Sequence, residues 1–305
     1  MIGTNNEGGG EPALDGQRQI YSYNSNVYIS NDYGANFTEI AALNGQAYTS
    51  FYISGNGLHI IVWKQYGQQI SNDGGNSWSN TGSVAGYNSG YSISDDGQYV
   101  ARTGNGQAYY STDGGATFNA SSGENGGAYI RSTPDGQTVM QITNNASNIQ
   151  VSTNYGASFS MGTGIGGNRS SPNFSKYLNH LMYGNGSGTS YYEYVNSSYF
   201  GQYGSGANAY VDCEVNGGKP DASVRYYMWK GNSTNGFFVS GLNSSTTTTI
   251  TAYGKPNAMA LNGSGQYRTI TTPSGTYTSS DYGVTWVSNG DGISAGQIVM
   301  NQGDF

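Results

Sequence analysis

Charge, cysteine and long apolar runs are all scarce in this sequence. Charged residues make up 10% of the 305 residues, and the formal net charge is −7. This balance provides no basic face, so we predict no nucleic-acid partner. The single cysteine, Cys213, excludes an internal disulfide bond and a cysteine-based metal site.

No apolar stretch approaches the roughly 20 residues that a membrane-spanning helix requires, so no membrane span is predicted. Residues 1–12 form a glycine-rich leader, and residues 1–16 lack the apolar core of a signal peptide. We therefore expect no cleavable signal peptide.

Glycine and tyrosine are abundant, with 49 and 28 residues, and aromatic residues reach 13% of the chain. Glycine favours turns and aromatic side chains favour strands, whereas neither is a strong helix former. The even spread of aromatic residues along the chain also argues against disorder. The composition thus predicts a packed all-β protein.

An eight-residue pattern, Ser-x-Asp-x-Gly-x-x-aromatic, recurs at intervals of about 41 residues. Two degenerate copies, which have lost the Asp and the Gly, fall where this spacing requires them, at 193–200 and 239–250. The five well-formed copies, called the octapeptides below, are "SNDYGANF" (30–37), "SNDGGNSW" (71–78), "STDGGATF" (111–118), "STNYGASF" (152–159) and "SSDYGVTW" (279–286).

Each repeat contains signals for four short antiparallel strands. In residues 90–123, an alternating segment leads to the turn Asp96-Gly97, and then "QYVAR", "TGNG", "QAYYS" and the octapeptide follow. A four-stranded unit of about 40 residues is typical of a β-propeller blade. We predict an all-β, seven-bladed β-propeller of four-stranded antiparallel blades, formed by a single domain over residues 13–305.

The first repeat lacks a good first strand, because the residues before Asp15-Gly16 are "TNNEGGGEP". The chain ends on "SAGQIVMNQGDF", whose apolar residues favour a strand. We predict that residues 294–301 complete blade 1 as its innermost strand, which closes the ring and removes its exposed edges.

The octapeptides have a structural interpretation. The short Asp side chain accepts hydrogen bonds from the backbone of its own turn, and the Gly permits a positive φ. The aromatic ring is expected to pack between neighbouring blades. We predict this structural role for the turns that contain Asp32, Asp73, Asp113, Asn154 and Asp281.

The octapeptides resemble the Asp-box (BNR) repeat, Ser-x-Asp-x-Gly-x-x-Trp/Phe, and the repeats cover the chain from about residue 13 to its end. That superfamily includes sialidases, xyloglucan-type endoglucanases, sortilin-like receptor domains and photosystem assembly factors. The resemblance therefore implies a propeller without implying one function. A sialidase would also carry an arginine triad and an Arg-Ile-Pro signature, and Arg18 in "GQRQIY" has neither the Ile nor the Pro.

Seven acidic residues remain once the acids of turns and leader are set aside: Glu39, Asp95, Glu124, Glu193, Asp212, Glu214 and Asp291. Two of them are candidates for catalysis because of their position on a strand. Asp212 and Glu214, in "YVDCEV", are two positions apart on a predicted innermost strand, so they share a face at roughly 7 Å between Cα atoms. Two carboxyl groups this close raise one pKa, as the general acid of a glycosidase requires. Arg131 and Arg169, predicted on preceding inner strands, would complete the cluster. The structural alternative is that the acids pair with these arginines or face water.

The other chemistry-bearing residues are isolated. His59 and His180 have no matching ligands nearby in the sequence, so neither a metal site nor a Ser–His catalytic pair is predicted. Cys213 lies between two acids, which raise a thiol pKa and disfavour a nucleophile. No cofactor is predicted.

Tyrosine is concentrated in blades 5 and 6, at about residues 165–250. Tyrosine with Ser, Gly and Asn is typical of adaptable recognition surfaces, and flat aromatic rings suit sugars. About half of the tyrosines are expected to pack between blades instead. The candidate binding residues are Tyr191, Tyr192, Tyr203, Tyr226, Tyr227 and Trp229.

The departure of blades 5 and 6 from the repeat favours a functional surface there. We predict a non-enzymatic binding or structural propeller, a surface component of a virus or phage particle that contacts other protein subunits or glycans. The predicted location is the virion or an extracellular surface, with the cytoplasm as the alternative. The alternative function is a sialidase-like or endoglucanase-like glycoside hydrolase that uses Asp212 and Glu214, and a third class is an intracellular assembly factor.

Overall fold

The chain folds as two compact units, which we call the N-terminal unit (residues 5–165) and the C-terminal unit (residues 166–305 with residues 1–4). The computed structural model describes residues 18–23, 26–32, 36–45, 48–64, 67–81, 88–104, 106–123, 127–143, 148–164, 170–174, 177–178, 180–184, 189–195, 198–203, 210–215, 227–231, 236–240, 247–261 and 265–288.

The described strands of the N-terminal unit are β1 (Gln19–Tyr23), β2 (Asn26–Ser30), β3 (Thr38–Glu39), β4 (Tyr48–Ile53), β5 (Ile60–Lys64), β6 (Gly67–Ser71), β7 (Ser79–Asn80), β8 (Asn88–Ile93), β9 (Val100–Gly104), β10 (Gln107–Ser111), β11 (Asn119–Ala120), β12 (Gly127–Ser132), β13 (Val139–Thr143), β14 (Asn148–Ser152) and β15 (Ser160–Gly164). They form four antiparallel sheets in chain order. The first sheet has the order β1-β2-β3, and the next three have the orders β4-β5-β6-β7, β8-β9-β10-β11 and β12-β13-β14-β15.

The described strands of the C-terminal unit are β16 (Ser170–Phe174), β17 (His180–Gly184), β18 (Thr189–Val195), β19 (Ser198–Tyr203), β20 (Tyr210–Val215), β21 (Tyr227–Gly231), β22 (Phe237–Ser240), β23 (Thr247–Ile250), β24 (Ala258–Leu261), β25 (Arg268–Thr272), β26 (Gly275–Ser279) and β27 (Val287–Ser288). They form three four-stranded antiparallel sheets, again in chain order: β16-β17-β18-β19, β20-β21-β22-β23 and β24-β25-β26-β27.

Helix is almost absent from the described residues. It is limited to η1 (Ala41–Leu43), a 3-10 turn that connects β3 to β4. Within the ranges given above, no helix is long or apolar enough to cross a membrane.

The strand positions confirm the predicted all-β class and the four-stranded antiparallel repeat. In the third sheet, the turn Asp96-Gly97 joins β8 to β9, and the octapeptide at 111–118 joins β10 to β11. Both degenerate copies, 193–200 and 239–250, span the connection between the third and fourth strands of their sheets. The spacing of the repeat therefore located these connections even where the motif residues are missing.

The first sheet is the exception, with three strands in the described residues. Because the octapeptide 30–37 joins β2 to β3, its strands correspond to the second, third and fourth strands of the other sheets. Residues 294–301 lie outside the described residues. Their predicted role as the missing strand, the closed ring and the single domain over 13–305 therefore stay predictions.

Buried apolar side chains fill the space between successive sheets of each unit. In the N-terminal unit, Ile29 of the first sheet belongs to one buried cluster with Phe51 and Ile60 of the second. In the C-terminal unit, Phe237 of the second sheet clusters with Leu261 of the third. The first strands of successive sheets also lie against one another, β4 with β8 and β8 with β12, and likewise β16 with β20 and β20 with β24.

In the first three sheets, the residue that precedes the second strand of the four-stranded pattern (β1, β5 or β9) places its side chain over turns of the next sheet. Arg18 donates from Nη1 to the Gly57 carbonyl at 2.6 Å. His59 lies against Gly97, where an added Cβ would come within 2.0 Å of its ring. Tyr99 stacks on Tyr155 with ring centroids 4.0 Å apart. These contacts couple successive sheets at the end of the unit that carries the octapeptides.

Candidate functional site

Each octapeptide carboxylate is bound by the turn that contains it. Asp73 Oδ1 accepts from Ser71 Oγ at 2.8 Å and from the Ser77 N–H at 2.9 Å, and its Oδ2 accepts from Ser77 Oγ at 2.6 Å. Ser71 Oγ in turn accepts from the Gly75 N–H at 2.8 Å. Both oxygens of the carboxylate are therefore used to hold a turn between a third and a fourth strand.

The same contacts recur at Asp113 and Asp281. In the fourth sheet an amide replaces the carboxylate: Asn154 Oδ1 accepts from Ser152 Oγ at 2.8 Å and from the Ser158 N–H at 3.0 Å. Its Nδ2 donates to Ser158 Oγ at 2.9 Å. Because a neutral amide fits this place, the turn needs hydrogen-bond geometry rather than charge.

The octapeptide glycine and aromatic residue also act structurally. Gly75 has φ +92°, and an added Cβ would come within 2.8 Å of Ile29 Cδ1. Trp78 packs against the cluster between the first and second sheets and donates from Nε1 to the Gly75 carbonyl at 3.0 Å. Phe37 is different, since 37% of its surface is exposed. The prediction that the octapeptide rings are buried is wrong for Phe37. Phe159 is buried, and the other three rings are half-buried against apolar clusters: Trp78, Phe118 and Trp286.

Hydrogen bonds keep the octapeptide carboxylates ionised. The pKa of Asp73 is lowered from its usual 3.8 to about 2, chiefly because the Ser77 side chain and backbone donate to it. Thr285 has the same effect on Asp281, whose pKa is also lowered to about 2. These carboxylates bind a proton less readily in the folded than in the unfolded protein, so acid favours unfolding.

We expect Asp73→Asn to reduce the acid sensitivity of the protein. The stabilisation linked to Asp73 is complete above its usual pKa of 3.8 and is lost as the pH falls towards about 2. An amide cannot titrate, and Asn154 shows that it can keep the contacts. Unfolding temperatures measured between neutral pH and about pH 2 should fall less steeply for the variant than for the wild type.

The reciprocal change, Asn154→Asp, is the matched control. It introduces a titrating carboxylate into the same hydrogen-bond geometry, so the unfolding temperature should fall more steeply with acid than in the wild type. Identical pH profiles for the wild type and both variants would show that these turns do not contribute to acid stability.

The candidate catalytic acids lie on one strand of the C-terminal unit. Asp212 and Glu214 are both on β20, the first strand of its sheet, opposite Lys230 and Met228 of β21. The ladder shifts register between Tyr210 and Asp212. The predicted strand is thus present, whereas the convergence of the two carboxyl groups on a cleft stays a prediction.

The two arginines of the proposed catalytic cluster are placed differently. Arg131 lies on β12 of the N-terminal unit with an exposed side chain, and Arg169 lies outside the described residues. Of the other described arginines, Arg102 and Arg268 are both buried. The Arg102 guanidinium lies 4.2 Å from the centroid of the Tyr109 ring and 4.6 Å from that of Phe118. Burial lowers the pKa of Arg102. The burial of Arg102 was not predictable from the sequence, because nothing in "QYVAR" distinguishes it from an exposed arginine.

The candidate binding tyrosines lie on two neighbouring sheets. Tyr191 and Tyr192 are on β18, and Tyr203 at the end of β19 is the register partner of Tyr191. In the next sheet Trp229 on β21 lies between Cys213 and Phe238 in register, and Tyr227 lies opposite Val215. Tyr226 lies outside the described residues. The register thus brings Tyr191 and Tyr203 together as a cross-strand pair.

His59 takes part in structural contacts. His59 Nδ1 lies 3.1 Å from Asn72 Oδ1, in the contact between the second and third sheets. Among the described residues, no group of three or more His, Cys, Asp or Glu side chains is arranged to hold a metal ion.

Similarity to solved structures shows that the chain has a β-propeller fold. YCF48 bound to a D1 peptide is 15% identical, with a TM-score of 0.57 over 77% of this chain and 80% of that chain. An ancestral GH74 enzyme is 13% identical with a TM-score of 0.59. Hydrazine synthase of Kuenenia stuttgartiensis is 11% identical, with a TM-score of 0.53 over 75% of each chain.

The likeness to the GH74 enzyme covers 96% of this chain but only 46% of that chain, so this chain spans about half the length of that enzyme. No protein-family model matches the sequence. No curated protein matches it either. At identities of 11–15%, these similarities establish the fold alone. The function has to be argued from the residues of the site.

Proposed function

We propose that this chain is a non-enzymatic binding or structural propeller on the surface of a virus or phage particle. Its seven sheets are the blades of an Asp-box ring that residues 294–301 close. Its partners are other protein subunits of the assembly, with glycans as the second class of ligand.

The main support for this proposal is that the repeated carboxylates form hydrogen bonds within their own turns. Asp73, Asp113 and Asp281 each hold their own turn through both carboxylate oxygens. Asn154 holds its turn without a charge, accepting at Oδ1 and donating from Nδ2. A motif that tolerates a neutral amide serves architecture rather than acid–base chemistry. The acids that recur along the chain are thereby explained without catalysis.

Similarity to YCF48 supports a protein partner. That propeller is seen bound to a peptide, and it resembles this chain over 77% of its length. The two share only 15% identity, so the fold is what they have in common. A propeller of this kind offers a rigid surface for a peptide or subunit without any catalytic group.

We place the contact surface on the sheets β16–β19 and β20–β23. Their third-to-fourth connections have lost the octapeptide residues, and they carry the cross-strand pair Tyr191 and Tyr203 together with Trp229. Aromatic residues are enriched at interfaces because a rigid ring buries a large area at a small entropic cost.

Alanine at Tyr191, Tyr192 and Tyr203 together should weaken binding to particle subunits or glycans by about tenfold or more, because interface tyrosines are frequent hot spots. Binding is measured by co-sedimentation with the other purified particle proteins and on a glycan array. Tyr129→Ala is the matched control, because Tyr129 is 38% exposed on β12 and lies outside the proposed surface. Full binding by the triple variant, with unfolding temperatures unchanged, would rule out this surface.

A glycoside hydrolase is the second candidate, favoured by the position of Asp212 and Glu214 two residues apart on β20. A screen of polysaccharides for hydrolysis, with Asp212→Asn and Glu214→Gln as controls, separates the two functions. Hydrolysis that both variants abolish would establish the enzyme and overturn the binding proposal.

A further inference from the structure

Two Asn-Gly pairs lie in contrasting surroundings in the N-terminal unit. The sequence contains nine such pairs, and both residues are described for Asn44-Gly45 and Asn56-Gly57. An Asn followed by Gly is chemically labile, because without a Cβ on the next residue its backbone nitrogen can approach the Asn side chain. The structure determines which of the two pairs can react.

Asn56 is held by hydrogen bonds on every side. Its Oδ1 accepts from Ser54 Oγ at 2.6 Å and from the Leu58 N–H at 2.9 Å, and its Nδ2 donates to the Asp96 carbonyl at 3.1 Å. The nucleophile of the reaction, the Gly57 N–H, donates to the Ser54 carbonyl at 2.9 Å. Reaction at Asn56 requires these contacts to open first.

Asn44 has far fewer restraints. It ends η1, its Nδ2 donates to Glu39 Oε1, and its Oδ1 has no hydrogen-bond partner among the described residues. Gly45 is exposed, its N–H donates to no group in the described part of the chain, and an added Cβ would meet nothing within 4 Å. The backbone is thus open around Gly45. Asn44 is extended (ψ 156°), its Oδ1 is buried, and the bond to Glu39 is the one side-chain hydrogen bond that restrains it among the described residues.

We propose that Asn44 is a site of spontaneous deamidation in the folded protein, whereas Asn56 is protected. The Gly45 backbone nitrogen attacks Asn44 Cγ; the new N–Cγ bond forms and the Cγ–Nδ2 bond breaks. Ammonia leaves and takes up the proton of the Gly45 N–H. Water then opens the resulting cyclic imide on either side, which gives aspartate or isoaspartate.

This modification changes the connection between the first and second sheets. The Asn44 side chain loses its donor group, so its hydrogen bond to Glu39 is lost. The new carboxylate lies beside the Glu39 carboxylate, and two like charges repel. Isoaspartate also inserts an extra atom into the backbone between η1 and β4. Deamidation thus acts as a slow, irreversible change at one defined turn.

The test follows both sites by peptide mapping and mass spectrometry during incubation in mildly alkaline buffer. In the folded protein Asn44 should deamidate about tenfold faster than Asn56 or more, because Asn56 reacts only through local opening. In concentrated urea both are unprotected Asn-Gly pairs, and their rates should become similar. Asn44→Gln assigns the signal, because a longer side chain forms the cyclic imide much more slowly.

Equal rates at the two sites in the folded protein would overturn the proposal. So would an Asn44 that stays intact in the folded protein while the unfolded chain reacts. Neither outcome bears on the proposed binding function, since Asn44 lies outside its surface.

Discussion

Phe237→Ala should remove a large part of the stability of the C-terminal unit. Phe237 is completely buried, and its ring meets Trp286 edge to face, with centroids 5.2 Å apart. Deleting a buried Phe costs about 3–5 kcal/mol, and loss of the aromatic pair adds about 0.5–1.5 kcal/mol. Since a domain is stable by about 5–15 kcal/mol, urea unfolding should show a much lower midpoint.

Val287→Ala is the control for this change. Val287 is 66% exposed on β27, the strand that follows Trp286, so its truncation should change the free energy of unfolding by about 0.5 kcal/mol or less. A Phe237→Ala loss as small as that would show that the octapeptide Trp286 does not pack the sheets together as described.

Gly123→Ala should be the most damaging single-methyl addition in the N-terminal unit. Gly123 has φ +100°, and an added Cβ would come within 2.2 Å of the Phe159 carbonyl oxygen. That oxygen belongs to the backbone, so relieving the clash shifts the two chain segments apart. Two hydrogen bonds of 2.9 Å join these segments: the Phe159 N–H donates to the Ser122 carbonyl, and the Ser122 N–H donates to the Ala157 carbonyl. Left-handed strain of about 1–2 kcal/mol and the lost hydrogen bonds of about 1 kcal/mol each predict a total of about 3 kcal/mol.

Gly106→Ala isolates the steric part of this loss. Gly106 has φ +73°, but an added Cβ there meets nothing within 4 Å. Its substitution should cost only the conformational strain of about 1 kcal/mol. Chemical denaturation of both variants measures the difference, and equal losses at the two glycines would show that the predicted clash at Gly123 is relieved without cost.

Local features of the fold were predictable from the sequence because their causes lie within a few residues. Ser71, Asp73 and Gly75 close one turn among themselves, so the motif alone identifies the turn and its hydrogen bonds. The spacing then located the same connection in the sheets where the motif is lost, at 193–200 and 239–250.

Features that depend on distant residues were not predictable in the same way. The octapeptide does not distinguish Phe37, which is 37% exposed, from Phe159, which is buried at the same motif position. The burial of Arg102 depends on rings that β10 and the octapeptide bring over it. The candidate site shows the same division. Asp212 and Glu214 fall on the predicted strand. Whether their carboxyl groups face a common cleft depends on the strands around β20, which come from distant parts of the chain.

The mass of the native protein, measured by light scattering at several concentrations, tests the central proposal most directly. A propeller built into a particle should form a stable oligomer, or co-purify with a larger assembly, so the mass should exceed that of a single chain throughout the series. The mass of one chain at every concentration, with no co-purifying assembly, would contradict the proposal that this protein functions as a subunit of a larger particle.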